Sequence, residues 1–152
     1  MNLRRIVNLT GVMPAGRVIH ILAGVCGALW EAHSLGLIHR DIKPENVMLC
    51  EQGRVYDMVK VLDFGLVKDL ADPGNDDTGD GGISGTPETM SPESLSDIAV
   101  GPASDLYSLC AVGCFLLTGQ AIFKASSVRE FLKAHLELPP IPPSRLQPDV
   151  PP

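Results

Sequence analysis

Residues 39–46 read HRDIKPEN, and residues 63–65 read DFG. These two stretches decide how the whole chain is interpreted, because they concentrate acidic, amide and lysine side chains on two short segments. Between them lie two apolar runs, Val47–Leu49 and Val59–Leu62, separated by a more polar stretch. This pattern predicts a β-hairpin, whose strands would bring the end of the first segment close to the start of the second.

The side chains in these segments suit the transfer of a phosphoryl group. That reaction needs a positioned acceptor hydroxyl and cations that neutralise charge on the phosphates, and it needs little covalent chemistry from the protein. Asp41 can accept or orient the proton of a hydroxyl, and Lys43 can reach the transferred phosphate. Asn46 and Asp63 offer the hard oxygen ligands that Mg²⁺ prefers. The alternative for Asp41, an ordinary surface acid, is disfavoured by the surrounding motif.

The order HRD-x-K-P-x-x-N and then DFG resembles the eukaryotic-type protein kinase family, and Lys43 after Asp41 resembles its serine/threonine branch, in a bacterial-type member. Two later stretches resemble the same family in the same order. Residues 85–93, GTPETMSPE, are similar to the end of an activation segment, and residues 104–110, SDLYSLC, to the start of the central helix of the large lobe. Aminoglycoside-phosphotransferase-like enzymes share the Asp…Asn…Asp arrangement but lack this activation-segment ending, so they are the less favoured alternative.

The resemblance implies ATP and Mg²⁺ as cofactors and a protein partner with a serine or threonine acceptor. It implies that Asp41 is the catalytic base or orienter and that Lys43 stabilises charge. The residues that it implies for cofactor binding are Lys43, Glu45, Asn46, Met48 and Asp63, of which Asn46 and Asp63 would bind the metal. Met48 would form the floor of the adenine pocket, although ordinary strand packing explains this residue nearly as well.

Some parts of the family pattern do not occur in this sequence. Only 38 residues precede His39, and none of them matches the G-x-G-x-x-G loop or the V-A-I-K lysine. We therefore expect an α+β, mainly α fold that resembles the C-terminal kinase lobe, with a small β-hairpin at the active site and the N-terminal lobe absent. The parent enzyme would phosphorylate serine or threonine, while this chain alone would be inactive. The alternative is a non-catalytic, kinase-derived binding module.

The whole of residues 1–152 is predicted to be one partial kinase domain. Its predicted parts are a catalytic loop (37–49), the DFG and activation segment (63–93), a central helix (104–118), a last helix (126–137) and a proline-rich end (138–152). In more detail, the hydrophobic spacing and capping residues predict helices over 2–9, 14–35, 104–117 and 128–136, with Ser104 and Ser126 or Ser127 as N-caps. The hairpin loop is predicted at 50–58, and an extended polyproline segment at 139–143.

The resemblance also implies structural roles around the site. His39 would pack beneath Phe64, and Asp105 would cap the backbone of the catalytic loop. Glu93 normally pairs with an arginine that lies later in family members, so we expect an uncompensated charge here if Glu93 is partly buried. Cys110 stands where the family has a small glycine, which would tighten packing against the catalytic loop.

Several residues are given simpler interpretations. Cys110 and Cys114 lie one helical turn apart without a matching histidine or acid, so buried small hydrophobes are favoured over half a metal site. The remaining histidines are predicted to belong to no cluster of functional side chains; they are His20, His33 and His135. Thr78 and Ser84 are the candidate phosphosites of a glycine- and aspartate-rich loop at 69–85, where Arg40 would pair with the phosphate. Thr86 would contact the catalytic loop instead.

The composition narrows the class of protein. The chain is 45% hydrophobic and 20% charged, as expected of a globular domain, and its formal net charge of −6 argues against nucleic acid as the main partner. The four cysteines form no C-x-x-C pair, and the N-terminal apolar run is too short for a signal peptide. The most apolar helix, Leu106 to Leu117, is shorter than the roughly 20 residues that span a bilayer. We therefore expect no membrane segment in this chain and a cytoplasmic location.

Overall fold

A computed structural model describes residues 1–64, 68–69, 87–95 and 100–151 of the chain, with only the backbone of 68, 69 and 128. The helices are α1 (Leu3–Thr10), α2 (Ala15–Ser34), α3 (Pro92–Leu95), α4 (Pro102–Thr118), α5 (Val128–Glu137) and α6 (Pro143–Leu146). The strands are β1 (Leu37–Ile38), β2 (Val47–Gln52), β3 (Val55–Val61) and β4 (Lys68–Asp69). The described part is thus helix-rich with the hairpin of β2 and β3, as predicted, and it has a second two-stranded sheet of β1 and β4 that was not predicted. The candidate phosphosites Thr78 and Ser84, and also Thr86, lie outside the described residues.

Helices α2 and α4 form the centre of the core. Helix α2 buries a stripe of residues spaced three and four apart, namely Val18, Ile21, Val25, Leu29 and Ala32. Ile21 is fully buried, whereas Leu22 packs against the core and is only partly buried. Leu22 lies over Gly113 of α4, where a Cβ atom would come within 3.1 Å of its Cδ1. The absence of a side chain at Gly113 therefore permits the close approach of the two helices.

The antiparallel hairpin of β2 and β3 is longer than predicted. Its register pairs Val47 with Val61, and the strands continue as far as the pair of Gln52 and Val55. The prediction of a loop over 50–58 is wrong, because the polar outer halves of the strands are exposed and carry no apolar alternation that would reveal them. The turn includes Gly53, whose φ of 64° is a conformation that favours glycine. Val47 and Leu49 are buried, as expected of the inward face.

The helix ends follow local capping rules. Asn2 caps α1 by accepting a hydrogen bond from the Arg5 amide at 2.9 Å, and Ser127 caps α5 by accepting one from Glu130. Helix α4 begins at Pro102, two residues before the predicted start, so the prediction that Ser104 is its N-cap is wrong. The glycine and proline at 101 and 102 were the overlooked signal, since proline is favoured in the first turn of a helix.

The predictions that Cys110 is a buried small hydrophobe and that it tightens packing against the catalytic loop are both wrong. Cys110 is exposed on the outer face of α4, with Leu106 beside it at 47% exposure, so this helix is not buried all round and Cys110 does not tighten the catalytic loop. Cys114 is half-buried. The extended polyproline segment predicted at 139–143 is right only in part: Pro142 has a φ of −57° and a ψ of 136°, close to polyproline values, but Pro143 begins the short helix α6. Among the residues that the structure describes, no helix combines the length and the apolar character that crossing a membrane requires.

Helix α5 is connected to α4 through a buried histidine that the sequence patterns did not identify. His135 is only 7% exposed, and its Nδ1 lies 2.7 Å from the hydroxyl oxygen of Tyr107. The ring of Phe123 lies edge-on to it, with centroids 4.9 Å apart. The prediction that His135 has no constellation is therefore wrong.

The free energy of unfolding is expected to depend on the protonation of His135. Burial lowers the pKa of His135, opposed by the carbonyl of Pro87. Its folded-state pKa thus lies below the value of about 6.5 in an unfolded chain, so the unfolded state binds more protons. The contribution of the neutral His135 ring to the free energy of unfolding is fully present above about pH 6.5. It is lost as the pH falls below that value. Urea unfolding at several pH values should show this slope in the wild type and a shallower one in His135→Gln. An unchanged slope would contradict it, and the exposed His20→Gln serves as control.

Candidate active site

The first candidate segment, 39–46, is a loop between β1 and β2. The side chain of Asp105 holds the start of this loop by hydrogen bonds to its backbone. This carboxylate is 1% exposed and accepts the backbone amides of His39 at 2.9 Å and Arg40 at 2.8 Å. The predicted capping role of Asp105 is confirmed. Since Asp105 lies in the first turn of α4, the central helix positions the loop directly.

His33 completes this anchor. Its Nε2 lies 2.8 Å from Oδ2 of Asp105, so helices α2 and α4 and the loop meet at one carboxylate. The prediction that His33 has no constellation is therefore wrong. A signal was present in the sequence, because His33 follows Leu29 by one helical turn and so lies near the buried face of α2.

His39 links the two candidate segments, as predicted. Its ring lies edge-on to that of Phe64, with centroids 4.7 Å apart. Its Nε2 lies 2.9 Å from the carbonyl oxygen of Leu62, while its Nδ1 accepts from the amide of Asp41 at 3.3 Å. One nitrogen therefore donates and the other accepts, which is the pattern of a neutral imidazole with a defined tautomer. His39 holds the start of the second segment against the first and takes a structural role.

Asp41, Lys43 and Asn46 form a compact polar cluster. Oδ2 of Asp41 lies 2.6 Å from Nζ of Lys43 and accepts from Nδ2 of Asn46 at 3.0 Å. Nδ2 of Asn46 also donates to the backbone oxygen of Asp41. Asp41 and Asn46 are both buried, at 7% and 5% exposure, while Lys43 is partly open to solvent. The amide nitrogen of Asn46 is thus engaged with Asp41.

The open end of the hairpin brings Asp63 towards Asn46. The Leu62 amide donates to the carbonyl oxygen of Asn46 at 2.8 Å, directly beyond the pairing of Val47 with Val61. Asp63 follows at once and is exposed. Over the described ranges, no group of three or more histidine, cysteine or acidic side chains could hold a metal ion. One carboxylate and one amide oxygen fit Mg²⁺, since this ion usually takes few protein ligands and completes its octahedron with water and phosphate oxygens.

Arg40 and Asp63 have an unusual backbone conformation. Their φ angles are 67° and 61°, in the left-handed region that side chains with a Cβ rarely occupy. Both residues flank the cluster of Asp41. The hydrogen bond from the Arg40 amide to Asp105 and that from the Leu62 amide to Asn46 fix the two segments that contain them.

Glu45 and Met48, the other two predicted cofactor ligands, have different neighbours. Oε1 of Glu45 accepts from Nε of Arg4 at 2.7 Å, so its carboxylate is engaged in an ion pair. Met48 lies on β2 opposite Lys60 and forms an isolated bridge with Asn2, partly open to solvent. The structure therefore groups Asp41, Lys43 and Asn46, places Asp63 at the adjacent hairpin end, and sets Glu45 against α1. The cofactor roles of Glu45 and Met48 remain predictions.

Glu93 is partly buried, and its carboxylate is stabilised by hydrogen bonds from neutral groups. The Ser104 hydroxyl donates a short hydrogen bond to its Oε1. Burial raises the pKa of Glu93, but hydrogen bonds from Ser104, from its own backbone and from Ser91 outweigh this and lower it. The residue that was predicted as a helix cap is thus the partner of Glu93.

Comparison with known proteins agrees with these features. Residues 1–146 match the model of the protein kinase domain. The chain is 41% identical over 150 residues to the serine/threonine-protein kinase pkn3 of Myxococcus xanthus, covering 97% of this chain and 27% of that protein. It is 40% identical over 152 residues to the serine/threonine-protein kinase PknB of Mycolicibacterium smegmatis, covering 100% of this chain and 24% of that protein. The chain thus spans about a quarter of the length of these relatives.

Proposed function

This chain belongs to the protein kinase family, and we propose that it is the catalytic-lobe part of a serine/threonine protein kinase. The whole enzyme would transfer the γ-phosphoryl group of ATP to a serine or threonine hydroxyl of a protein. The observation that carries this proposal is the buried cluster in which Asp41 bonds both Lys43 and Asn46. Relatives that are named serine/threonine-protein kinases at about 40% identity support it.

The residues of the cluster divide the chemistry between them. Asp41 would accept or orient the proton of the acceptor hydroxyl, since its carboxylate is fixed by Asn46 and by the anchored loop. Lys43, which bonds Asp41 in the absence of substrate, has a flexible stem and a partly open position, so its ammonium can turn towards a transferred phosphoryl group. The neutral His39 would keep Asp41 in place through its backbone amide.

Asn46 and Asp63 would hold Mg²⁺. When bound, this ion neutralises charge on the phosphate oxygens. The hairpin contributes by fixing the spacing between the two segments, so that one amide oxygen and one carboxylate can face the same ion. Met48, on the strand that leaves Asn46, would then line the adenine site.

The alternative function is a non-catalytic, kinase-derived binding module, which would dock a protein partner, bind no ATP and transfer no phosphoryl group.

Titration with ATP in the presence of excess Mg²⁺, followed by calorimetry, tests the proposed site. We expect saturable binding by the wild-type chain, weakened at least about tenfold, or 1.4 kcal/mol, by Asp63→Ala. Asp63→Gly should weaken binding equally, because glycine removes the carboxylate and tolerates the left-handed backbone.

The exposed Asp149→Ala is the matched control and should bind as the wild type does. Absence of binding by a wild-type chain that circular dichroism shows to be folded would reject the ATP site and favour the binding module. Equal binding by the wild type and both Asp63 variants would reject Asp63 as a ligand.

A further inference from the structure

Arg4 of helix α1 contacts two acids from distant parts of the chain. Its Nε donates to Oε1 of Glu45 at 2.7 Å, and its Nη2 donates to Oε2 of Glu88 at 3.0 Å. Its guanidinium carbon also lies 4.3 Å from the centroid of the Phe115 ring, a cation–π arrangement. One side chain therefore connects α1, the catalytic loop, the turn at 87–89 and helix α4.

The backbone strengthens the connection between α1 and the loop. The amides of Leu3 and Arg4 donate to the carbonyl oxygen of Pro44 at 3.0 and 3.3 Å. The base of Arg4 is thus fixed beside the residue that precedes Glu45, and only its guanidinium extends to Glu88. Glu45 follows Asp41 by four residues in the same loop, so Arg4 links the turn at 87–89 to the loop that contains the predicted catalytic aspartate.

The charges favour this arrangement over one in which Glu88 is unbound. Burial lowers the pKa of Arg4, but hydrogen bonds and charge interactions with Glu45 and Glu88 outweigh this and raise it. Two carboxylates share one guanidinium, whose planar fork offers separate N–H groups to each of them. The three side chains are 28%, 38% and 41% exposed, so the ion pairs add little to global stability and act mainly on local position.

We propose that Arg4 is a positioning residue that holds the turn at 87–89 against the catalytic loop and so sets the approach of the protein acceptor to Asp41. This rests on the proposed kinase function for its consequence, although the contact itself does not. Removing the guanidinium would release the turn at 87–89 from the catalytic loop. The cluster of Asp41, Lys43 and Asn46 would keep its own hydrogen bonds.

Amide hydrogen exchange, followed by mass spectrometry, tests the contact without any need for activity. In Arg4→Met and in Glu88→Gln, we expect exchange over residues 87–95 to rise about two- to fivefold, the range given by half-exposed ion pairs. Exchange in helix α2 should not change. The double variant should exchange no faster than Arg4→Met, since the contact with Glu88 is already lost in that variant. Arg4→Lys keeps the charge without the fork and should lie between the wild type and Arg4→Met.

Arg5→Met is the matched control, because Arg5 is the exposed neighbour on the same helix. Unchanged exchange over 87–95 in Arg4→Met, or an equal rise in α2, would overturn the proposal. Where the wild-type protein transfers phosphate, the Michaelis constant for the protein acceptor should rise two- to fivefold in Arg4→Met, with that for ATP unchanged. Equal changes in both constants would also overturn it. A wild-type chain that binds no ATP would reject the proposed function, and the exchange measurement would still decide the role of Arg4.

Discussion

Replacement of Asp105 by alanine is expected to lower the free energy of unfolding by about 3–5 kcal/mol, because it leaves buried donors without an acceptor. The carboxylate accepts the amides of His39 and Arg40 and also contacts Nε2 of His33. Each buried donor that loses its partner costs about 1–3 kcal/mol. The loss should appear in urea unfolding and should also release the loop that contains Asp41.

Two comparisons separate this effect from a general loss of acidic charge. Asp105→Asn keeps one acceptor oxygen but presents an NH₂ group to the other amide, so its effect should be intermediate. Asp149→Ala removes an exposed carboxylate and should change stability by less than about 0.5 kcal/mol. Equal stability of Asp105→Ala and Asp149→Ala would show that the anchor does not contribute to folding.

Two glycine-to-alanine substitutions on helix α2, at Gly24 and Gly27, are expected to have opposite effects on the free energy of unfolding. A Cβ atom at Gly24 would lie 2.8 Å from Cγ2 and 2.9 Å from Cβ of Val59 on strand β3, closer than carbon atoms can approach. Val59 is β-branched and stiff, so the strand must move, and we expect Gly24→Ala to destabilise the chain by about 1–3 kcal/mol. At Gly27 the same Cβ atom meets nothing within 4 Å. Gly27→Ala should therefore stabilise the helix by up to about 1 kcal/mol.

The double variant Gly24→Ala with Val59→Ala tests the cause. Truncation of Val59 removes the atoms that the new methyl group meets, so the double variant should be more stable than the sum of the two single effects predicts. Thermal unfolding of the four variants and the wild type measures this. Additive effects, or a stabilising Gly24→Ala, would contradict the close approach of α2 to the hairpin.

The features that could be predicted from the sequence are those with a local signal. Helix α2 follows from the spacing of its apolar residues, and the junction of Asn46 with the start of the second segment follows from two apolar runs that pair. The roles of His39 and Asp105 came from the family resemblance, and their contacts confirm them. In the outer half of the hairpin, apolar and polar residues do not alternate, so this part of both strands was predicted to be a loop.

The features that could not be predicted join residues far apart in the chain. Tyr107 meets His135 through helix packing that leaves no periodic trace in either segment, and the helical spacing of His33 from Leu29 indicates its face of α2 but not its partner Asp105. Arg4 and Glu88 are 84 residues apart in the sequence, and an arginine on a short helix suggests only a solvated charge. Pairing of this kind is decided by tertiary structure, since neither partner is specified by its own neighbours.

The left-handed backbone at Arg40 and Asp63 implies a conflict between folding and chemistry. This conformation costs a residue with a Cβ roughly 1–2 kcal/mol, whereas glycine adopts it freely. A chain optimised for stability alone would therefore carry glycine at both positions. At Asp63, glycine would gain this free energy but would remove the carboxylate that we propose as a Mg²⁺ ligand.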